Sequence, residues 1–93
     1  MDLVRGQLVR SRAGRDAART FAVLAVEGQM LFLADGSLRR VESPKRKKRK
    51  HVAPIATVLP GEALQDDAAL RKAIAAYDAE SPPTPPARRK SLV

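Results

Sequence analysis

Phe21-Ala22-Val23-Leu24-Ala25-Val26-Glu27-Gly28-Gln29-Met30-Leu31-Phe32-Leu33-Ala34-Asp35-Gly36 is the stretch that decides the fold class. Phe21–Val26 is a continuous apolar run of strand length, too short for an amphipathic helix and without helical spacing. Such a run is expected of a central strand buried on both faces. Gly28 interrupts it, and Met30–Ala34 resumes as a second buried strand, so a β-hairpin is expected around Glu27-Gly28-Gln29. Asp35-Gly36 is a strong signal for a two-residue hairpin turn, whose central positions need positive φ. It predicts a third strand over Ser37–Val41, with Leu38 and Val41 in apolar contact and at least one of Arg39 and Arg40 facing solvent. Ser43-Pro44 should end that strand, because proline cannot donate to a ladder.

Upstream, Leu8-Val9-Arg10-Ser11 reads as a short strand entered through Gly6. Ser11 to Arg19 has a turn signal at Ala13-Gly14 and no apolar period, so a loop is expected. Downstream, Lys45-Arg46-Lys47-Lys48-Arg49-Lys50 is a run of like charges whose mutual repulsion predicts an extended loop. His51-Val52-Ala53-Pro54-Ile55 is expected as the closing strand. After Leu59-Pro60-Gly61, Asp66 or Asp67 offers a helix N-cap. Leu70, Ile74 and Tyr77 then recur at helical spacing, a stripe expected to clasp the strands, with partner binding as the rival use. Pro82-Pro83 ends the helix. The expected organisation is mainly β: a domain over 1–58 with a basic loop at 44–50, a connector at 59–65, a helix at 66–80 and a disordered Pro-rich basic tail at 81–93.

The chain has 93 residues and a formal net charge of +8, from 18 Lys and Arg against 10 Asp and Glu. Residues 1–60 carry thirteen basic and five acidic side chains, whereas 61–93 carry five of each, so the whole excess lies on the strand-forming part. A cationic domain of this kind favours polyanions, nucleic acid above all. A membrane surface would ask for an amphipathic helix with an apolar anchor, which the basic segment lacks. No apolar run suits a signal peptide or a bilayer span, and there is no cysteine, so a soluble, cytoplasmic monomer is expected. No nucleophile–base pair, carboxylate dyad or phosphate-cradling glycine loop is present, which points away from an enzyme. The lone His51 has no second ligand at metal-site spacing, so neither metal nor cofactor is expected.

Gly6-Gln7-Leu8-Val9-Arg10-Ser11-Arg12-Ala13-Gly14-Arg15-Asp16 resembles the KOW motif of ribosomal proteins and NusG-type elongation factors. A strand leads there into a tight turn at Gly14, where backbone N–H groups and flanking arginines can approach phosphate. The family's pattern has a further glycine where this chain has Ala18. Ala34-Asp35-Gly36-Ser37-Leu38-Arg39-Arg40-Val41, a basic run and then Lys50-His51-Val52-Ala53-Pro54 are similar to the fourteenth large-subunit ribosomal protein of archaea and eukaryotes and to short bacterial KOW proteins. The resemblance covers about residues 5 to 55. It implies a small SH3-like β-barrel, no catalysis, and binding to ribosomal RNA or the ribosome in translation. KOW barrels also contact proteins, so an interaction module of the transcription or translation machinery is the alternative, with the helix at 66–80 as a possible protein-binding surface.

The expected RNA-binding residues follow from charge and placement. Arg10, Arg12, Gly14, Arg15 and Arg19 belong to the KOW loop and its flanks, where forked guanidiniums suit phosphate. Arg39 and Arg40 follow the Asp-Gly turn; their plainer role is to charge a strand edge. Lys45, Arg46, Lys47, Lys48, Arg49 and Lys50 form the strongest electrostatic feature, and His51 closes it. The same run also matches a nuclear localisation pattern. Phe21 and Phe32 are expected in the core, so recognition should rest on backbone shape and charge rather than on an aromatic stacking platform.

Overall fold

The computed structural model describes residues 3–12 and 18–80. These form five strands, two short 3₁₀ turns and one C-terminal helix: β1 (Gln7–Ser11), β2 (Thr20–Glu27), β3 (Met30–Ala34), β4 (Lys45–Lys48), β5 (Val52–Val58) and α1 (Asp67–Glu80). The 3₁₀ turns, Arg49–His51 and Gly61–Leu64, precede β5 and α1. The strands make one antiparallel sheet in the order β4-β3-β2-β1-β5, so the last strand returns beside the first. The segments 13–17 and 81–93, with the expected KOW turn and the Pro-rich tail, lie outside the described residues.

Both faces of the sheet are buried at its centre, over Leu8–Val9, Phe21–Val23 and around Leu31 and Leu33, whereas Val26 and Val58 at strand ends are exposed. Successive strand side chains point to opposite faces, so each run supplies two cores. Leu8, Ala22 and Ala34 pack on one face against Leu64, Leu70 and Ile74. Val9, Phe21, Val23, Leu31, Leu33 and Val52 fill the other face from the sheet itself. Glu27 pairs with Met30 across Gly28-Gln29, the expected hairpin. A register shift between Val23 and Ala25 marks a bulge at Leu24, and a second shift lies between Gln7 and Val9. Bulges bend strands and increase their twist.

The helix docks as its stripe predicts: Leu70 and Ile74 are buried on the sheet and Tyr77 packs beside them. Of the two candidate caps, Asp66 takes the role, its Oδ1 accepting from the Ala69 N–H at 2.7 Å. Asp67 turns away and accepts from the Val41 N–H at 2.7 Å, fastening the loop after β3 to the helix start. Among the described residues, no helix is long and apolar enough to cross a membrane.

Several local expectations are corrected. Asp35-Gly36 does not form a two-residue hairpin, because Gly36 has φ 80 while Asp35 is not in the positive-φ region. A loop over 35–44 follows instead, and Ser37–Val41 is not a strand. The Asp35 carboxylate competes for the local backbone, accepting from the N–H groups of Ser37 and Arg39 at 2.9 Å each. Leu38 is 60% exposed, not packed as expected. Phe32 is only half-buried and belongs to neither core cluster. Lys45–Lys48 is a strand rather than a loop.

Ala18 is the single non-glycine residue with positive φ (72°) among the described residues. An L-residue there costs roughly 1–2 kcal/mol, offset in part by the extra unfolded-state freedom of glycine. Ala18→Gly is therefore expected to raise stability by about 0.5–1 kcal/mol, read as a later midpoint in urea unfolding. A lower midpoint would contradict the left-handed conformation.

Candidate nucleic-acid interface

β4 forms although every residue in it is cationic. An extended strand answers the repulsion as well as a loop does, because neighbouring side chains alternate between faces and same-face neighbours stand about 6.7 Å apart. The strand additionally gains ladder partners in β3: Leu33↔Lys45, Phe32↔Arg46, Leu31↔Lys47 and Met30↔Lys48. Lys45 and Lys47 share the face of Leu33 and Leu31 and are half-buried, a position in which long aliphatic stems can cover apolar surface. Arg46 and Lys48 share the face of Phe32 and Met30 and are exposed. β4 is an outer strand of the sheet, and its charge discourages edge-to-edge aggregation.

The basic run then turns through Arg49–His51. The Arg49 N–H donates to the Gln29 carbonyl at 2.9 Å, at the β2–β3 turn, and the Arg12 N–H donates to the His51 carbonyl at 2.8 Å. These two bonds place Arg12, at the entry to the KOW-like segment, against the end of the cationic run. Arg46, Lys48, Lys50 and Arg12 make no ion pair among the described residues. Lys45–Lys50, His51 and Arg12 are thus adjacent along the backbone, with Arg46 and Lys48 exposed on one face of β4 and Lys45 and Lys47 half-buried on the other.

Among the described residues, Arg10, Arg19, Arg39 and Arg40 lie elsewhere. Arg10 lies opposite Thr20 and Ala53 on the face that carries Leu8 and α1, and its Nη2 donates to Thr20 Oγ1 at 3.4 Å. Arg19 pairs with Asp35 at 3.2 Å, the guanidinium side 44% exposed and the carboxylate side 5%. Burial of that carboxylate, with three donors around it, makes Arg19 a structural partner first. Arg39 and Arg40 sit in the 35–44 loop; Arg39 is half-buried, its carbonyl accepting from the N–H groups of Asp35 and Gly36, while Arg40 is exposed. Gly14 and Arg15 lie outside the described residues.

Beside Arg19 lies a cleft of about 550 Å³ between α1 and the ends of β2 and β3, reached by Thr20, Arg71, Ile74 and Asp78. Arg71 Nη1 donates to the Gly36 carbonyl at 2.8 Å, and Thr20 Oγ1 donates to Asp78 Oδ1 at 3.2 Å. Sequence reasoning missed Arg71 and Asp78. Their partners lie 35 and 58 residues away, and the only local signal was their place in the helix beside Leu70 and Tyr77. Among the described residues no group of His, Cys, Asp and Glu could hold a metal ion.

Compared with known proteins, the chain matches no family model and no curated protein.

Proposed function

We propose that this chain is a non-enzymatic, KOW-type RNA-binding protein that grips the phosphate backbone of structured RNA, ribosomal RNA being the favoured class, through the cationic strip of β4, Arg49–His51 and Arg12. The junction of Arg12 with His51 carries the reading, because it joins the mouth of the KOW-like loop to the basic strand. Arg46 and Lys48, exposed on one face of β4, suit a polyanion lying along that face.

The same reading takes the sheet as a small SH3-like barrel. β4 and β5 are the two outermost strands, so a flat sheet would hold them about 19 Å apart at ordinary strand spacing. The Arg49–His51 turn alone joins them, and a 3₁₀ segment rises only about 2 Å per residue. Strong coiling of the sheet reconciles the two. Ala18 adds support, since the glycine of the KOW pattern falls on the residue that holds a left-handed backbone. The rival reading, protein binding through the helix, is disfavoured because Leu70 and Ile74 are spent on the core.

The test is a titration of ¹⁵N-labelled full chain with a structured RNA, following backbone amides. The expected perturbations centre on Arg12 and residues 45–51. Perturbations confined to the outer surface of α1, or none at all, would overturn the assignment.

A further inference from the structure

We propose that the cleft between α1 and the sheet is a subsite for one unpaired guanine nucleotide of the bound RNA. This rests on the RNA-binding reading and deepens it, by adding base selectivity to a surface that otherwise holds only phosphate.

The cleft is an open groove with the volume of a small-ligand site. Its volume of about 550 Å³ lies within the common range for such pockets. Ala18, Ile74 and Ala75 give it an apolar wall, where small side chains leave room for a flat ring. Two guanidiniums stand at the rim. Arg19 is steadied by Asp35 and Arg71 by the Gly36 carbonyl, so each is oriented while spending few of its five N–H donors. The remaining donors suit a phosphate.

The two carboxylates of the cleft are not equivalent. Asp35 is enclosed by three donors, from Arg19, Ser37 and Arg39. Asp78 accepts from the Thr20 hydroxyl alone, and that hydroxyl in turn accepts from Arg10. Its second oxygen has no hydrogen-bond partner among the described residues. The Arg10–Thr20–Asp78 chain therefore aims one carboxylate with acceptor capacity into a cleft that already offers phosphate donors. Of the four RNA bases, only guanine presents two adjacent N–H donors on its Watson–Crick edge. A carboxylate can take both at once. Adenine, cytosine and uracil each place an acceptor beside a donor there, which a carboxylate repels. Single-stranded bases splayed from RNA are commonly read on this edge. The 35–44 loop contributes Asp35 and Ser37 to the cleft and then runs into β4, so one strand of RNA could pass from the phosphate strip to the pocket.

The labelled full chain is titrated with the 5′-monophosphates of the four ribonucleosides, and with short single-stranded RNAs that carry or lack one guanine. The expected result is perturbation of Thr20, Arg71, Ile74 and Ala75, with guanosine monophosphate binding at least about 10-fold more tightly than the others. Asp78→Asn should erase that preference and retain phosphate-dependent binding; the Thr20 hydroxyl can still donate to the amide oxygen, so the fold is kept. RNA binding without guanine selectivity, or selectivity that survives Asp78→Asn, overturns the subsite and leaves the phosphate strip standing. Guanine selectivity for the free nucleotide without any RNA binding also overturns it, since the cleft would then serve a free nucleotide.

Discussion

Replacing Gly36 by alanine is expected to unseat α1 and cost at least about 3 kcal/mol. Two causes act together. Gly36 holds φ 80, which an L-residue adopts with strain, and a Cβ there would collide with the Asp67 carbonyl and stand 2.8 Å from the Arg71 nitrogen. Both obstacles are helix backbone, so the first turn of α1 must move. With it would go the Asp67–Val41 and Arg71–Gly36 hydrogen bonds and part of the burial of Leu70 and Ile74. In a domain this small, that loss lowers the thermal midpoint by more than about 12 °C. Gly28 is the control. It too has positive φ (61°), yet nothing lies within 4 Å of its virtual Cβ, so Gly28→Ala should cost only about 1 kcal/mol. Equal effects at the two glycines in thermal unfolding would mean that Gly36 is not jammed against the helix.

The double replacement Arg46→Glu with Lys48→Glu should weaken RNA binding by about 100-fold at fixed salt, taking about 1.5 kcal/mol for each charge-assisted hydrogen bond to phosphate. Both side chains are exposed on an outer strand, and neither contributes to a core cluster, so the fold should persist. A matched reversal at Arg40 and Lys72, both exposed and outside the basic run, should cost far less. Fluorescence anisotropy with one structured RNA compares the two. Similar weakening by both pairs would show that net charge, not the strip, sets affinity.

Much of the fold was legible because its signals are short-range. The apolar runs at 21–26 and 30–34 and the break at Gly28 specify a hairpin between neighbours, and Leu70, Ile74 and Tyr77 specify the buried side of a helix. The Asp-Gly signal failed largely for a long-range reason: Asp35 is engaged by Arg19, just before β2, and Gly36 is the seat of α1. The basic run misled because repulsion rules out compaction but not extension, and β3 supplied the ladder. Site residues divided along the same line. Contiguous cations at 45–51 stay together in any fold, whereas the faces taken by Arg10 and Arg12 depend on β-sheet pairing. The Arg12 backbone N–H bonds to His51, while the Arg10 side chain, two residues earlier, donates to Thr20.

The most direct measurement of the phosphate-strip claim is the salt dependence of RNA affinity for the wild-type chain. Four or more phosphate contacts from β4, Lys50 and Arg12 should give a log–log slope of about −3 or steeper, and Arg46→Glu with Lys48→Glu should flatten it by at least about 1.4. A slope near zero, or one that the double replacement leaves unchanged, would contradict the claim that this edge holds the RNA backbone.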